Sequence, residues 1–447
     1  MIASTPVRAA RLAACLLLVA LWLAACAAPT PPAPATATAL PPTPSPVAVA
    51  ATATSVPTAA PPPTPTPAPQ ALTLWVAEEG PALDVVRELA AEFSVESGAP
   101  IEVVARPPDG LRLSLATAAL AGDSLPDLLW ADGEALAGLL ADDRLQPLDP
   151  ALAADDLLPA LRTAATADGE LWGAPVAASG GLLLLYNRAM VPAAPRSSDA
   201  LIVGARAAQT PEVAGMVMAW DEARWLLPWL YAFGGAPTSP DGLAVTLDTP
   251  AMTPTLNLVR ELYTAAPKNG AGYARGRRLL AQGYAAYAID GDWSLPMYRA
   301  VSDTLDLGIA PMPVVPATGR AAAPTLNGTY LMLARELAGE PLARGRAFAG
   351  FLADPATQDR LAQALGRLPP TVSALERPGA PWAADPALAA AAALAGQAPG
   401  LPPTVAARCA LYGIDVWLPS LLRGSIPASE LPLRMQREAE ACVARSS

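Results

Sequence analysis

Tryptophan and carboxylate are the side chains of this sequence best suited to gripping a ligand. Ten Trp stand against four Phe in a chain otherwise rich in Ala and Leu. An indole lays its face on the C–H face of a sugar ring while its N–H donates a hydrogen bond. A carboxylate accepts two hydrogen bonds from neighbouring hydroxyls with charge-assisted strength. The two types meet in Asp290-Gly291-Asp292-Trp293, in Trp130 beside Asp132 and Glu134, and in Trp220 and Trp225 flanking Asp221-Glu222. For each residue singly the alternative is a core ring or a solvated charge. Trp75, Trp172 and Trp229 lie inside apolar runs and are assigned to the core, with Trp382 and Trp417 as secondary candidates.

Several chemistries are closed off. The chain has no His, so it holds no Ser-His or Cys-His catalytic pair and no His-ligated metal. Asp290 with Asp292, or Asp221 with Glu222, could serve as acid and base in glycoside hydrolysis. Side chains adjacent on one strand point to opposite faces, however, and no nucleophile elbow, phosphate loop or metal-ligand cluster is present. No catalysis, cofactor or metal is therefore expected. A formal charge of −11 offers nothing to a phosphate backbone, which argues against nucleic acid.

The elements that must carry these residues alternate. Leu72 to Val76 reads as a strand; Leu83, Val86, Leu89 and Phe93 recur at helical spacing up to Gly98; Ile101 to Val104 is a second strand. Leu111 to Ala121 follows as a helix stopped by Gly122, then Pro126 to Trp130 as a buried strand with a polar loop, Asp132 to Glu134, at its carboxyl end. In open α/β sheets that end binds ligands.

The N-terminus reads as a targeting signal. Arg8 and Arg11 precede an uncharged run, Leu12 to Ala25, too short to span a bilayer but suited to a secretory signal. Its end, Leu23-Ala24-Ala25-Cys26, resembles a bacterial lipobox, which implies removal of residues 1–25 and a lipid on Cys26. Residues 26–70 form a Pro-, Thr- and Ala-rich linker, able to hold the body up to on the order of 130 Å from a membrane. No later stretch approaches transmembrane length. With Cys15 in the signal and Cys26 lipidated, Cys409 and Cys442 remain, and in an oxidising compartment they suggest one disulfide; the alternative is two separate buried thiols.

Along about Leu72 to Leu375 the order of segments resembles the family 1 extracellular solute-binding proteins of ABC importers. The resemblance rests on Leu125-Pro126-Asp127-Leu128-Leu129-Trp130, on Leu145-Gln146-Pro147-Leu148-Asp149, and on Gly169-Glu170-Leu171-Trp172-Gly173-Ala174-Pro175 leading into Leu185-Tyr186-Asn187-Arg188. Farther on it rests on Leu227-Pro228-Trp229-Leu230, Thr246-Leu247-Asp248-Thr249-Pro250, the Asp290-Gly291-Asp292-Trp293 segment, Asn327-Gly328 and Gly366-Arg367-Leu368-Pro369. The departures are a short connection between Met190 and Met216 and the cysteine-bearing tail after Gly400.

The resemblance implies an α/β fold of the two-lobed, periplasmic-binding-protein type (type II), its lobes joined by crossing hinge strands. Lobe 1 is expected at about 71–178 and 310–355, lobe 2 at about 179–309 and 356–447. It implies a cleft ring at Trp293, cleft positions for Glu78 and Glu79 after the first strand, and backbone-lined or hinge positions at Ser179-Gly180-Gly181 and Asn327-Gly328. Arg367 and Asp292 complete the expected ligand set with Trp130, Asp132, Trp220, Asp221 and Trp225. The implied role is a monomeric, lipid-anchored, extracytoplasmic receptor that delivers a small solute, with carbohydrate as first choice, to ABC permease transmembrane subunits. The alternatives are a polyamine, amino acid or other solute, a report to a membrane sensor, or a secreted glycan-active enzyme.

Overall fold

The structure is a computed structural model that describes residues 70–446 apart from 108–109, 123–124, 153–155, 180, 268–271, 302 and 304. The expected signal, Cys26, Gly180 and all of the linker before Gln70 lie outside the described residues.

Strand β1, Leu72–Val76, is apolar at every position but Thr73, and its four apolar side chains are buried, as in a strand covered on both faces. The helix Gly80–Ser97 turns Leu83, Val86, Leu89, Ala90 and Phe93 inward and ends at Gly98, whose φ of 67° is left-handed. β1 pairs in parallel with β2, Ile101–Ala105, and with β3, Leu128–Asp132. After β4, Leu145–Gln146, a small hairpin joins β5, Thr166–Ala167, to β6, Glu170–Leu171. Its turn is Asp168-Gly169, both with positive φ, as a two-residue hairpin turn requires. β7, Ala174–Ser179, then leaves this sheet for the second.

The second sheet is built from β8, Leu182–Asn187, β9, Ala214–Val217, β10, Ala285–Gly291, and β11, Leu307–Ala310, in the order β11-β8-β10-β9. Alternation splits β8 between two cores: Leu182, Leu184 and Tyr186 enter one, Leu183 and Leu185 the other. A short ladder of β12, Val314–Val315, and β13, Arg320–Ala321, follows, and β14, Asn327–Ala334, returns to the first sheet. There it lies antiparallel to β3, β4 and β7, giving the order β2-β1-β3-β14-β4.

The lobe boundaries differ from the expected ones. Leu307–Ala310 pairs with β8, and Met312, Val315 and Ala322 pack in the second lobe's core, so the return to the first lobe begins near Leu326 instead of residue 310. It also runs past residue 355, because Leu361, Leu368 and Leu375 bury themselves with Phe348 and Leu352 in the first core. Packing of Met312, Val315 and Ala322 in the second core decides the first boundary, and the helix Pro355–Leu365, whose Arg360 pairs with Glu92 of the helix Gly80–Ser97, the second.

The tail after Gly400 belongs to the second lobe. Helices Val405–Leu422 and Leu431–Ser446 pack so closely that a Cβ on Gly413 would sit 2.6 Å from the Met435 carbonyl oxygen. A disulfide joins them from Cys409 to Cys442, with Cα atoms 5.5 Å apart. Contrary to the sequence expectation, Val405–Leu422 has the length and mean hydropathy of a membrane span, but it buries Ile414, Leu418 and Leu421 in the second core.

Candidate functional site

A cavity of about 800 Å³ is walled by both lobes. The first lobe supplies Glu134 and Ala137 from the helix Gly133–Ala141, the hairpin residue Asp168, and Trp172, whose indole N–H donates to the Ala167 carbonyl at 3.1 Å. The second supplies Glu222, Arg224 and Leu227 from the start of the helix Ala223–Ala232, and Thr404, Arg408, Leu411 and Asp415 from the helix Val405–Leu422 and its N-cap. Asn327, where β14 begins, lies between them.

The second-lobe wall carries two carboxylates, Glu222 and Asp415, and two guanidiniums, Arg224 and Arg408. Asp415 accepts the Ala223 backbone N–H at 2.5 Å, and partial burial, reinforced by the charge of Asp221, pushes its carboxyl up to about 6. Glu222 is likewise raised, first by burial and then by Asp221 and Asp415, with Arg224 opposing. Arg224 reaches across the cavity to Glu134, 3.5 Å away on the first lobe, and carries its guanidinium 5.7 Å over the ring of Trp293.

Trp293 is the expected ligand residue with the most open ring, 42% exposed. It stands beside the cavity wall at Arg224, edge-on to Trp225 with ring centroids 6.2 Å apart. Asp292 precedes it, half-buried, its backbone N–H bonded to the Gly181 carbonyl. The other expected tryptophans are core residues. Trp130 is fully buried because β3 is covered on both faces, so a place at the strand's end opens no face to ligand. Trp220 packs edge-on against Tyr263 at 5.1 Å, and Trp225 turns inward and donates its N–H to the Ile289 carbonyl at 2.8 Å. Trp172, assigned to the core, is half-buried: it packs against the first core and also lines the cavity.

The charged candidates divide similarly. Glu78, 8% exposed, is held by both guanidinium nitrogens of Arg367, which also donates to Thr329 Oγ1 at 2.7 Å, so these two neutralise one another. Asp132 is exposed and spends one oxygen capping the helix Gly133–Ala141 through Ala135 N–H at 2.9 Å; the expected polar loop is that helix's start. Glu79 is exposed at the N-cap of Gly80–Ser97 without capping it. Asp221 is exposed and acts on the cavity through its charge. Ser179 and Asn327 are register partners where β7 leaves the first sheet. Gly328 serves packing, since a Cβ there would meet Leu161 at 2.9 Å and the Ala177 carbonyl oxygen at 3.0 Å.

Sequence reasoning missed Glu222 as a wall residue in its own right, and it missed Arg224, Asp168, Arg408 and Asp415 altogether. The tail after Gly400 carried no motif, and nothing local distinguishes Asp415 from any charge on an amphipathic helix.

Two sheet-and-helix lobes, linked by a chain that crosses between them repeatedly and walling one cavity together, define a two-lobed binding protein. The chain belongs to the family described as bacterial extracellular solute-binding protein, whose match covers residues 88–390. That family acts outside the cytoplasm and comprises binding proteins. Similar solved structures include a cyclo/maltodextrin-binding protein in complex with maltotetraose, 20% identical, covering 85% of this chain and 98% of that one with a TM-score of 0.73. A maltose-binding periplasmic protein from Listeria monocytogenes, in complex with maltose, is 16% identical over 84% of this chain and 98% of its own, TM-score 0.73. A cyclic alpha-maltosyl-1,6-maltose binding protein from Arthrobacter globiformis is 19% identical over 84% and 100%, TM-score 0.72. At these identities the likeness is one of fold. Comparison with curated protein sequences gives no match.

Proposed function

We propose that this chain captures a carbohydrate between its lobes and delivers it to the transmembrane subunits of an ABC importer, without turning it over. The open lobes sample closure, a sugar touching both walls stabilises the closed state, and the permease recognises that shape. The observation that carries this reading is the cavity whose wall draws Glu134 and Trp172 from one lobe and Glu222, Arg224 and Asp415 from the other. Carboxylates and guanidinium suit hydroxyl groups, and Trp172 with the neighbouring Trp293 suits sugar faces. The malto-oligosaccharides named for the similar structures support a sugar. A lipid on Cys26 would hold the monomeric receptor at the membrane.

A second reading follows from the wall's charge. Glu134, Asp168, Glu222 and Asp415 outnumber Arg224 and Arg408, which favours a polyamine or another cationic solute.

Thermal unfolding of the mature chain against malto-oligosaccharides, monosaccharides, spermidine and amino acids separates the two. A ligand at about 100 times its Kd adds roughly 2.7 kcal/mol to stability. A raised midpoint with a sugar class supports the first reading; silence on sugars with a shift on spermidine replaces it by the second. Release of product from chromogenic glycans would overturn the absence of turnover. Trp293→Ala is expected to weaken sugar binding without changing the fold.

A further inference from the structure

Asp290, next to last in β10, is a buried carboxylate, 2% exposed, and its bonds lead outward to Trp293. Its Oδ1 accepts the Tyr273 hydroxyl at 2.6 Å and the Gly291 backbone N–H at 2.8 Å; its Oδ2 accepts the Tyr298 hydroxyl at 2.7 Å. Arg277 adds a cation, with Nε 3.6 Å from Oδ2. The Tyr273 oxygen in turn accepts the Trp293 indole N–H at 3.1 Å.

The polarity of this chain of bonds is forced. An indole N–H can only donate, and a carboxylate can only accept. The Tyr273 hydroxyl has one proton, spends it on Asp290, and presents a lone pair to Trp293. Were the acceptor at position 290 lost, the hydroxyl would be free to rotate its proton toward the indole, and the bond orienting Trp293 would be lost with it. The ring is restrained from below as well: a Cβ on Gly291 would fall 2.1–2.2 Å from three of its carbons, so only glycine lets the indole lie against the strand end. Trp225 closes one edge, and Tyr273 itself packs edge-on to Trp225 at 5.1 Å.

We propose that Asp290 is the positioning residue for Trp293, acting through Tyr273 to hold the half-open indole in the orientation it presents beside the cavity. The use of that orientation for a sugar rests on the reading given under Proposed function; the positioning itself does not. A fixed ring loses less freedom on meeting a ligand than one that must be ordered first.

The test labels the mature chain with 5-fluorotryptophan and follows Trp293 by fluorine NMR, its resonance identified by its loss in Trp293→Phe. Tyr273→Phe, which keeps the ring packing and removes only the hydroxyl, is expected to shift and broaden the Trp293 resonance. Asp290→Leu, which removes the acceptor at that position, is expected to do the same, although the side chain at position 290 does not touch the indole. Tyr298→Phe, which removes the carboxylate's other phenol, is expected to leave the resonance in place. Maltotriose affinity should fall roughly two- to tenfold in Tyr273→Phe, the range of one net hydrogen bond. An unmoved, sharp Trp293 resonance in Tyr273→Phe overturns the proposal, even where Asp290→Leu fails to fold. Equal displacement by Tyr273→Phe and Tyr298→Phe overturns it too, since that is the result of general loosening. A displaced resonance together with wild-type maltotriose affinity in Trp293→Ala upholds the positioning and removes Trp293 from the binding site.

Discussion

Arg224, on the second lobe, lies 3.5 Å from Glu134, on the first, so one ion pair ties the two walls of the cavity together. Both side chains remain partly open to water, and such pairs contribute about 0.2–1 kcal/mol. This pair acts on the balance between open and closed lobes more than on the stability of either. Glu134→Gln is expected to shift that balance toward the open state by up to about fivefold. Small-angle scattering of the unliganded protein should show a larger radius of gyration, and high salt should mimic the variant. The swap Glu134→Arg with Arg224→Glu should restore the wild-type radius; failure to do so would show that the two do not pair across the cavity.

Asp415 predicts a pH effect of definite sign. Its folded carboxyl is pushed up to about 6 from the ordinary 3.8. Between roughly pH 4 and 6 the folded protein therefore keeps a proton that the unfolded chain has released. Stability from this group falls as pH rises through that window, and the deficit is complete above it. Asp415→Asn keeps an acceptor for Ala223 N–H and removes the titration. Its melting midpoint at pH 7.5 should rise by about 2 °C, a figure discounted for the water at the cavity wall. The difference from wild type should vanish near pH 4, as measured by calorimetry across the range.

Glu78 and Arg367 test whether a residue placed after a strand must serve the ligand. The pair is largely buried, and removing one partner strands the other charge, at a cost of about 3–5 kcal/mol. Glu78→Ala is expected to lower denaturant stability by that amount while leaving sugar affinity within about twofold of wild type at temperatures where it remains folded. A large loss of affinity without loss of stability would return Glu78 to the binding site.

The Cys409–Cys442 disulfide closes a loop across 33 residues and staples two helices of the second lobe. Cys409→Ser with Cys442→Ser should cost on the order of 3 kcal/mol and lower the melting midpoint by several degrees. Reduction of the wild type should produce the same drop and leave the double variant unchanged, measured in parallel scans.

Local physics made much of this molecule readable beforehand. The apolar run of Leu72–Val76, the 3.6-residue recurrence from Leu83 to Phe93 and the stop at Gly98 each depend on neighbours within one turn or one strand. Asp132 was half readable: its place at a strand end was visible, but the helix it caps begins one residue later than a loop would allow.

Which core a segment joins was not readable. Met312, Val315 and Ala322 are apolar enough for either lobe, and only their packing in the second core assigns them there. The sequence by itself determined the opening strand-helix-strand elements, pointed to the two-lobed class through the order of its motifs, and singled out Trp293, which the structure leaves exposed. Tertiary structure alone decided that Trp130, Trp220 and Trp225 are core, that Trp172 lines the cavity as well as packing against the first core, and that Glu134, Arg224 and Asp415 share one cavity. The physical reason is that burial and charge depend on what packs against a side chain, and for these residues the neighbours come from chain segments up to hundreds of positions away.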